Sequence, residues 1–330
     1  MIKTNPNLFK NKTFIDLFAG LGGFRLALES MGAECVFSSE WDKFAQEVYE
    51  SNFGEMPHGD ITQIDEKDIP EHDVLCAGFP CQAFSISGKQ KGFEDTRGTL
   101  FFEVARIVAE KKPKIIFLEN VKNFASHDEG RTLSTVKETL ENLGYNFYYD
   151  VLNPIDFGIP QKRERIYMIA FRSDLEIDYF AFPQPFALDK FVEDFLLDEN
   201  EVKDLIIKRD DLRLTDDLPT CNKNTTVRVG IVGKGGQGER IYSPKGTAIT
   251  FSSYGGGIFS KTGGYLINGK TRKLHPRECA RLMGFPESYK IHPNRNQAYK
   301  QFGNSVVVDV LQLIAEQIAH AINVEEKVYA

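Results

Sequence analysis

Cys81 lies in Gly78-Phe79-Pro80-Cys81-Gln82, directly after the apolar run Val74-Leu75-Cys76-Ala77. A side chain at the carboxyl end of a strand in an open α/β sheet faces the crevice where ligands bind, and Pro80 fixes the backbone that enters the turn. That place suits a nucleophilic thiol. A lone cysteine is more often a small, inert core residue, so its surroundings decide. Glu119 ends a second apolar run, Lys114-Ile115-Ile116-Phe117-Leu118, which brings it to the same sheet edge. A strand-end glutamate by itself is usually a cap or a solvated side chain; beside Cys81 it completes a nucleophile and acid pair. Thr13 to Phe18 reads as a strand, Ala19-Gly20-Leu21-Gly22-Gly23 as a tight turn, and Phe24 to Met31 as a helix. Glycines let a ligand approach the backbone, and a helix start offers unpaired N–H groups. Arg25 stands where the pyrophosphate fingerprint G-x-G-x-x-G needs its third glycine, which weakens a diphosphate reading. The strand Glu34 to Ser39 ends at Glu40, a carboxylate placed for ribose hydroxyls. These features favour an adenosine ligand without a diphosphate.

The elements that must position these groups form an α/β pattern. Up to about residue 170, apolar strands at 13–18, 34–39, 72–77, 114–119 and 165–171 alternate with helix-like stretches at 100–111 and 132–143. This predicts a doubly wound, Rossmann-like domain. Residues 83–98, rich in Ser, Gly and Lys and without apolar period, read as a mobile lid. Beyond Pro183 the pattern breaks: twelve of the 27 glycines fall between Gly230 and Gly269, interleaved with β-formers, which implies a small, glycine-rich, mostly β insertion. Asn304 or Ser305 is expected to cap a final helix with Val307, Leu311, Ile314, Ile318 and Ile322 on one face. The expected division is 1–193 plus 304–330 for the large domain, 194–275 for the insertion and 276–303 for a hinge.

Bulk properties narrow the class. The 330 residues carry a formal net charge of −7 and 42% hydrophobic content, enough for a sizeable core. From Val227 to Arg281 ten basic residues face two acidic ones, whereas from Glu193 to Asp217 ten acidic residues face four basic ones. Such sign asymmetry lets a basic segment hold a phosphate backbone while the rest stays acidic. Five widely spaced cysteines without a C-x-x-C pair argue against disulfides and zinc. No apolar run approaches ~18 residues and the start has no signal-peptide core, so a cytoplasmic protein without membrane contact is expected.

Asp16 to Phe24 (DLFAGLGGF), Glu40-Trp41, Asp60, Pro80-Cys81-Gln82, Glu119-Asn120-Val121, Gln161-Lys162-Arg163-Glu164-Arg165 and Gly303-Asn304-Ser305-Val306 resemble, in order and spacing, the motifs of the DNA cytosine-5 methyltransferases. The resemblance covers essentially the whole chain. One departure is Lys162, where the family often has arginine; the charge stays but the planar fork is lost. The resemblance implies S-adenosylmethionine as cofactor and S-adenosylhomocysteine as product. Phe18 and Trp41 would flank the adenosine, with Glu40 on the ribose, Asp60 on the adenine amino group, and Gly20, Leu21, Gly23, Ile61, Pro80 and Asn304 completing the pocket. It implies double-stranded DNA as partner, with Cys81 adding to carbon 6 of an extruded cytosine, Glu119 at nitrogen 3, and Arg163 and Arg165 at the base. Two apart, these arginines are expected on one face of a strand. Ser87, Arg228, Gln237, Arg240, Thr250, Tyr254, Gly256 and Gly257 would contact DNA. In length and in Ile231 to Tyr242 the chain is similar to a member that methylates the inner cytosine of GCGC. The resemblance also implies a metal-free monomer, with a cognate restriction endonuclease as functional partner. A tRNA-modifying relative and an NAD-dependent oxidoreductase with a cysteine nucleophile are the competing readings.

Overall fold

The computed structural model describes residues 4–80, 100–177 and 179–326. Its larger sheet holds six strands: β1 (Thr13–Leu17), β2 (Glu34–Ser39), β3 (Val74–Gly78), β4 (Ile115–Val121), β5 (Tyr145–Leu152) and β6 (Arg165–Arg172), in the order β2-β1-β3-β4-β6-β5. The first four are parallel. β6 runs antiparallel to β4 and β5. This reversal brings the start of β6 to the carboxyl edge of β4, with Arg165 opposite Val121 and Tyr167 opposite Glu119.

Alternate residues of each strand serve opposite faces. Phe14, Phe117, Ile169 and Phe171 join one buried cluster, whereas Ile15, Leu17, Ile116, Leu118, Ile166 and Met168 join the other. Each fully buried ring contributes about 1.5–3 kcal/mol relative to exposure. The first face is covered by α1 (Gly23–Glu29) and by the long α7 (Val308–Glu326), which pack on each other. Residues of α3 (Leu100–Lys111) and α4 (Arg131–Asn142) fill the second. α2 (Lys43–Phe53) has no counterpart in the sequence reading. Its start is nonetheless well marked, since the Asp42 side chain accepts from Phe44 N and Ala45 N, and Gly54 ends it at φ 77°.

The glycine-rich segment forms a five-stranded sheet in the order β11-β10-β9-β8-β7, from β7 (Arg213–Leu214), β8 (Arg228–Ile231), β9 (Arg240–Tyr242), β10 (Gly264–Ile267) and β11 (Lys270–Lys273). Its own core is small: Val229, Val232, Ile241 and Phe259. Tyr242, Phe251 and Tyr265 belong instead to the core of the large domain.

The expected hinge segment holds two helices, and one expectation about the chain that follows it needs correction. Residues 276–303 carry α5 (Pro276–Leu282) and most of α6 (Arg295–Asn304), whose Leu282, Tyr299 and Phe302 are buried in the same core. Asn304 and Ser305 end α6 and do not cap α7: Ser305 is extended and its N–H donates back to Phe302 O. Residues 295–322 are, by length and composition, apolar enough to cross a membrane, but 67% of that window is buried. The hydropathy is that of a core helix.

Candidate active site

Glu119 is buried near the end of β4, and its Oε1 accepts from Arg165 Nε at 3.0 Å. Burial pushes its carboxyl pKa up, while the charges of Arg165 and Arg163 oppose the shift. Across the strand pair Glu119 faces Gly78, where an added Cβ would lie 3.6 Å from Glu119 Oε2. The carboxyl group therefore stands over the backbone that leads, three residues later, to position 81. Cys81 and Ser87, with the expected lid, fall outside the described residues. Asn120, to which the sequence reading gave no role, anchors this exit. Its buried Nδ2 donates to Phe79 O at 2.9 Å, and Phe79 is wedged against Phe101 and Phe124. The signal available in the sequence was its place beside Glu119 in a buried run.

The crevice beside this edge is made by backbone. Phe18, Gly20 and Gly22 all take positive φ, at 56°, 54° and 70°. Glycine is needed at Gly23 for a different reason: a Cβ there would sit 2.3 Å from Val306 Cγ2. The turn is thus clasped between α1 and the Gly303–Val306 segment, and Tyr289 Oη holds Leu21 O at 2.6 Å. The two oxygens of Glu40 accept from Gly20 N at 2.8 Å and Asp42 N at 2.7 Å. Burial raises its pKa, and these backbone N–H groups act against that. Each oxygen keeps capacity for a further donor. Trp41 is 76% exposed at the lip, Pro80 and Asn304 are exposed, and Ile61 is buried. Asp60 Oδ1 caps a short turn through Thr62 N. Arg25, in the place of the third glycine, is buried; it pairs with Glu29 and Glu55 and lies over the Phe53 ring at 4.6 Å. Beneath the turn, Asp16 is buried and neither oxygen accepts a well-formed hydrogen bond. Burial holds its carboxyl far above the usual aspartate range, with Arg25 opposing.

In the insertion, two glycine loops lie back to back. An added Cβ on Gly238 would meet Gly256 O at 1.9 Å, and one on Gly257 would meet Gly238 O at 2.6 Å. This contact joins the loop that carries Gln237 to the loop that carries Tyr254, a side chain 77% exposed. Arg240 Nε reaches Gly235 O at 3.4 Å and Arg228 is exposed on β8. Glu239, the one acidic residue here, is taken up by the N–H groups of Lys234 and Gly236. The basic count of the sequence reading is too generous. Arg272 is locked to Glu278, Arg281 to Glu287 and Lys270 to Glu199, while Lys245 and Arg277 bond backbone carbonyls. Charge counting along a chain cannot see such pairing. A cavity of about 540 Å³ between Glu193, Asp198, Leu218 and Lys270 is lined by none of the candidate residues.

Arg163 departs from expectation. It precedes β6 and so does not share a strand face with Arg165. Its buried guanidinium donates to Phe251 O at 3.1 Å, Gly303 O at 2.9 Å and Ser305 O at 2.5 Å. Burial and the neighbouring Arg165 pull its pKa down to about 9, which leaves it charged at neutral pH. The backbone beside it is sewn to the insertion: Lys162 N donates to Ala248 O at 2.8 Å, Ala248 N to Pro160 O at 2.7 Å, and Thr250 Oγ1 to Lys162 O at 2.5 Å. Among the described residues no cluster of side chains suits a metal ion, and Cys35, Cys76, Cys221 and Cys279 are free thiols.

The C-5 cytosine-specific DNA methylase model matches residues 12–320. The type II methyltransferase M.HhaI of Haemophilus parahaemolyticus is 68% identical over 323 residues, covering 98% of this chain and 99% of its own. M.HpaII of Haemophilus parainfluenzae is 44% identical over 96% of this chain and 91% of its own length. Among solved structures, the S. pombe Dnmt2 methyltransferase superposes with a TM-score of 0.71 at 21% identity, covering 95% of this chain and all of that one; at that identity the likeness is one of fold. A match across nearly the full length by both family model and close relatives, on a chain with a strand-end carboxylate and a glycine crevice in place, identifies the protein as an enzyme of the C-5 cytosine-specific DNA methylase family, of the type II restriction-modification kind.

Proposed function

We propose that the enzyme uses S-adenosylmethionine to methylate carbon 5 of the inner cytosine of GCGC in duplex DNA, the target nucleotide being swung out of the stack. The observation that carries this reading is the placement of the Glu119–Arg165 pair at the sheet edge over the backbone leading to position 81, next to the Gly20–Gly23 crevice. Carbon 5 of cytosine is too weak a nucleophile to accept a methyl group unaided. The Cys81 thiolate adds to carbon 6, and the charge that reaches nitrogen 3 is met by Glu119, whose raised pKa favours the protonated, donating form. Arg165 orients that carboxyl group and holds positive charge beside the ring. After carbon 5 has gained its methyl group, loss of the carbon 5 proton to a base and departure of Cys81 restore the ring.

The crevice fits the cofactor in its chemistry. Gly20, at positive φ, leaves open space beside the backbone, Glu40 retains acceptor capacity for ribose hydroxyls, and Trp41 offers an uncovered ring face. Phe18, Leu21, Gly23, Asp60, Ile61, Pro80 and Asn304 complete the set we assign to it. When bound, S-adenosylmethionine supplies a methyl group on a cationic sulfur. Because carbon 6 lies inside the duplex, the base must be extruded to meet Cys81. Ser87, Arg228, Gln237, Arg240, Thr250, Tyr254, Gly256 and Gly257 are assigned to DNA. The GCGC inference rests on the similarity of Ile231 to Tyr242 to a GCGC-specific member, and the names of the relatives support a paired endonuclease in the same cell.

Transfer of labelled methyl groups to duplex DNA and to tRNA, followed by bisulfite sequencing of the DNA, tests the reading. Label confined to DNA at the inner cytosine of GCGC is the expected result. Label in tRNA alone would overturn the substrate assignment, and methylation in another sequence context would overturn the GCGC assignment only.

A further inference from the structure

We propose that Arg163 is a positioning residue that fixes the spacing between the DNA-reading segment and the segment closing the cofactor crevice, so that extruded base and methyl donor meet in line. This rests on the function proposed above. Three observations carry it. The guanidinium is 1% exposed and divides its N–H groups between two stretches of chain, Phe251 on one side and Gly303 with Ser305 on the other. Phe251 lies three residues before Tyr254. Gly303 and Ser305 flank Asn304, and Val306 presses on Gly23. The two stretches also touch each other directly, since an added Cβ on Gly303 would come within 2.3 Å of Ser253 N and 2.4 Å of Ser252 C.

The residue type matters because a planar fork presents donors in several fixed directions at once, whereas an ammonium is a single point on a flexible stem. Lys162, next in the chain, shows the contrast: its backbone joins the seam through Ala248 and Thr250. Arg163 has given three N–H groups to carbonyls and its Nε has no partner. Buried among these carbonyls, it acts on the base through where Phe251 and Ser305 stand. A displacement of about 1 Å between reacting groups costs on the order of 10²-fold in rate.

The test compares wild type, Arg163→Lys and Gly303→Ala by single-turnover methyl transfer, with active sites counted by covalent trapping on DNA bearing 5-fluorocytosine. Cofactor and DNA affinities, melting temperature and the pH–rate profile are recorded for each. Arg163→Lys keeps the charge and loses the fork; Gly303→Ala leaves Arg163 intact and forces the same seam apart. The expected result is a fall of about 10²-fold in transfer per trapped site for both, with affinities and pH profile retained. Wild-type rates per trapped site in either folded variant would overturn the proposal, assigning Arg163 to stability alone. A shifted pH profile in Arg163→Lys, without the same defect in Gly303→Ala, would overturn it in favour of direct action on Glu119 or the base. If Arg163→Lys does not fold, Gly303→Ala decides alone. Wild type that methylates no DNA would sink the function itself, a result distinct from all of these.

Discussion

Covalent addition must precede methyl transfer, so Cys81→Ser is expected to abolish turnover while cofactor affinity, measured by calorimetry, stays near wild type. Appreciable methylation by this variant would dismiss the thiol mechanism. Glu119→Gln keeps a side chain that can hydrogen-bond but cannot give up a proton to the ring. Its transfer rate should fall by roughly 10²- to 10⁴-fold with DNA binding retained; an unchanged rate would mean that nitrogen 3 needs no acid. At this scale the sequence was a good guide to placement where a residue stands at a strand end, as Glu119 and Glu40 do. It was a poor guide where partners are backbone carbonyls far away in the chain. Arg163 looked like a twin of Arg165, yet its three acceptors lie 88, 140 and 142 residues away. Asn120 went unassigned for the same reason, because its partner is the carbonyl of Phe79, just beyond the end of the neighbouring strand.

Parallel strands buried on both faces read as continuous apolar runs, which is why β1, β3 and β4 were legible to within two residues. β5 was not. It sits at the sheet edge and only its two ends are well buried, so its pattern carries neither a clean alternation nor an apolar run. α2 has a flanking Asp42 and Gly54 but few buried residues, and a weak stripe conceals a helix. β1 also carries the least expected burden, a buried carboxylate. Burial raises the Asp16 carboxyl pKa in the folded chain above the ordinary aspartate value of 3.8, so folding favours proton uptake at pH above that value. Its contribution to stability is fully present below that value and declines as pH rises through the raised native pKa. Asp16→Asn removes the ionisation while keeping the shape. Its melting temperature should therefore gain on wild type as pH increases from about 4 to about 7, by calorimetry across buffers. A constant difference at every pH would show that Asp16 is ionised in the native state.

Across the whole molecule, the function proposed above divides the labour: the groups for the chemistry sit on the large sheet and those for the choice of sequence on the back-to-back glycine loops. Arg240 can pair bidentately with guanine, a discrimination of about 1–3 kcal/mol. Arg240→Ala should relax preference at one base pair, whereas Lys234→Ala, if that side chain meets a phosphate, should weaken all sequences alike and reduce the salt slope by about one. Competition binding across salt concentrations separates the two; equal loss on specific and random DNA for Arg240→Ala would remove it as a reader. The acidic net charge conceals this face, because several basic residues of the insertion are held in internal pairs, whereas Arg228, Lys234 and Arg240 form no ion pair among the described residues. One feature of the architecture also bears on how the enzyme comes into being. α1 is sealed by α7, and more than 270 residues separate the two in the chain. At a synthesis rate of roughly 5–20 residues per second, α1 waits on the order of 15–60 s with the surface that α7 seals uncovered. Protection of the host genome therefore lags the start of translation by at least that interval, and slow codons late in the message would lengthen the delay, with greater exposure to aggregation, without altering a single residue.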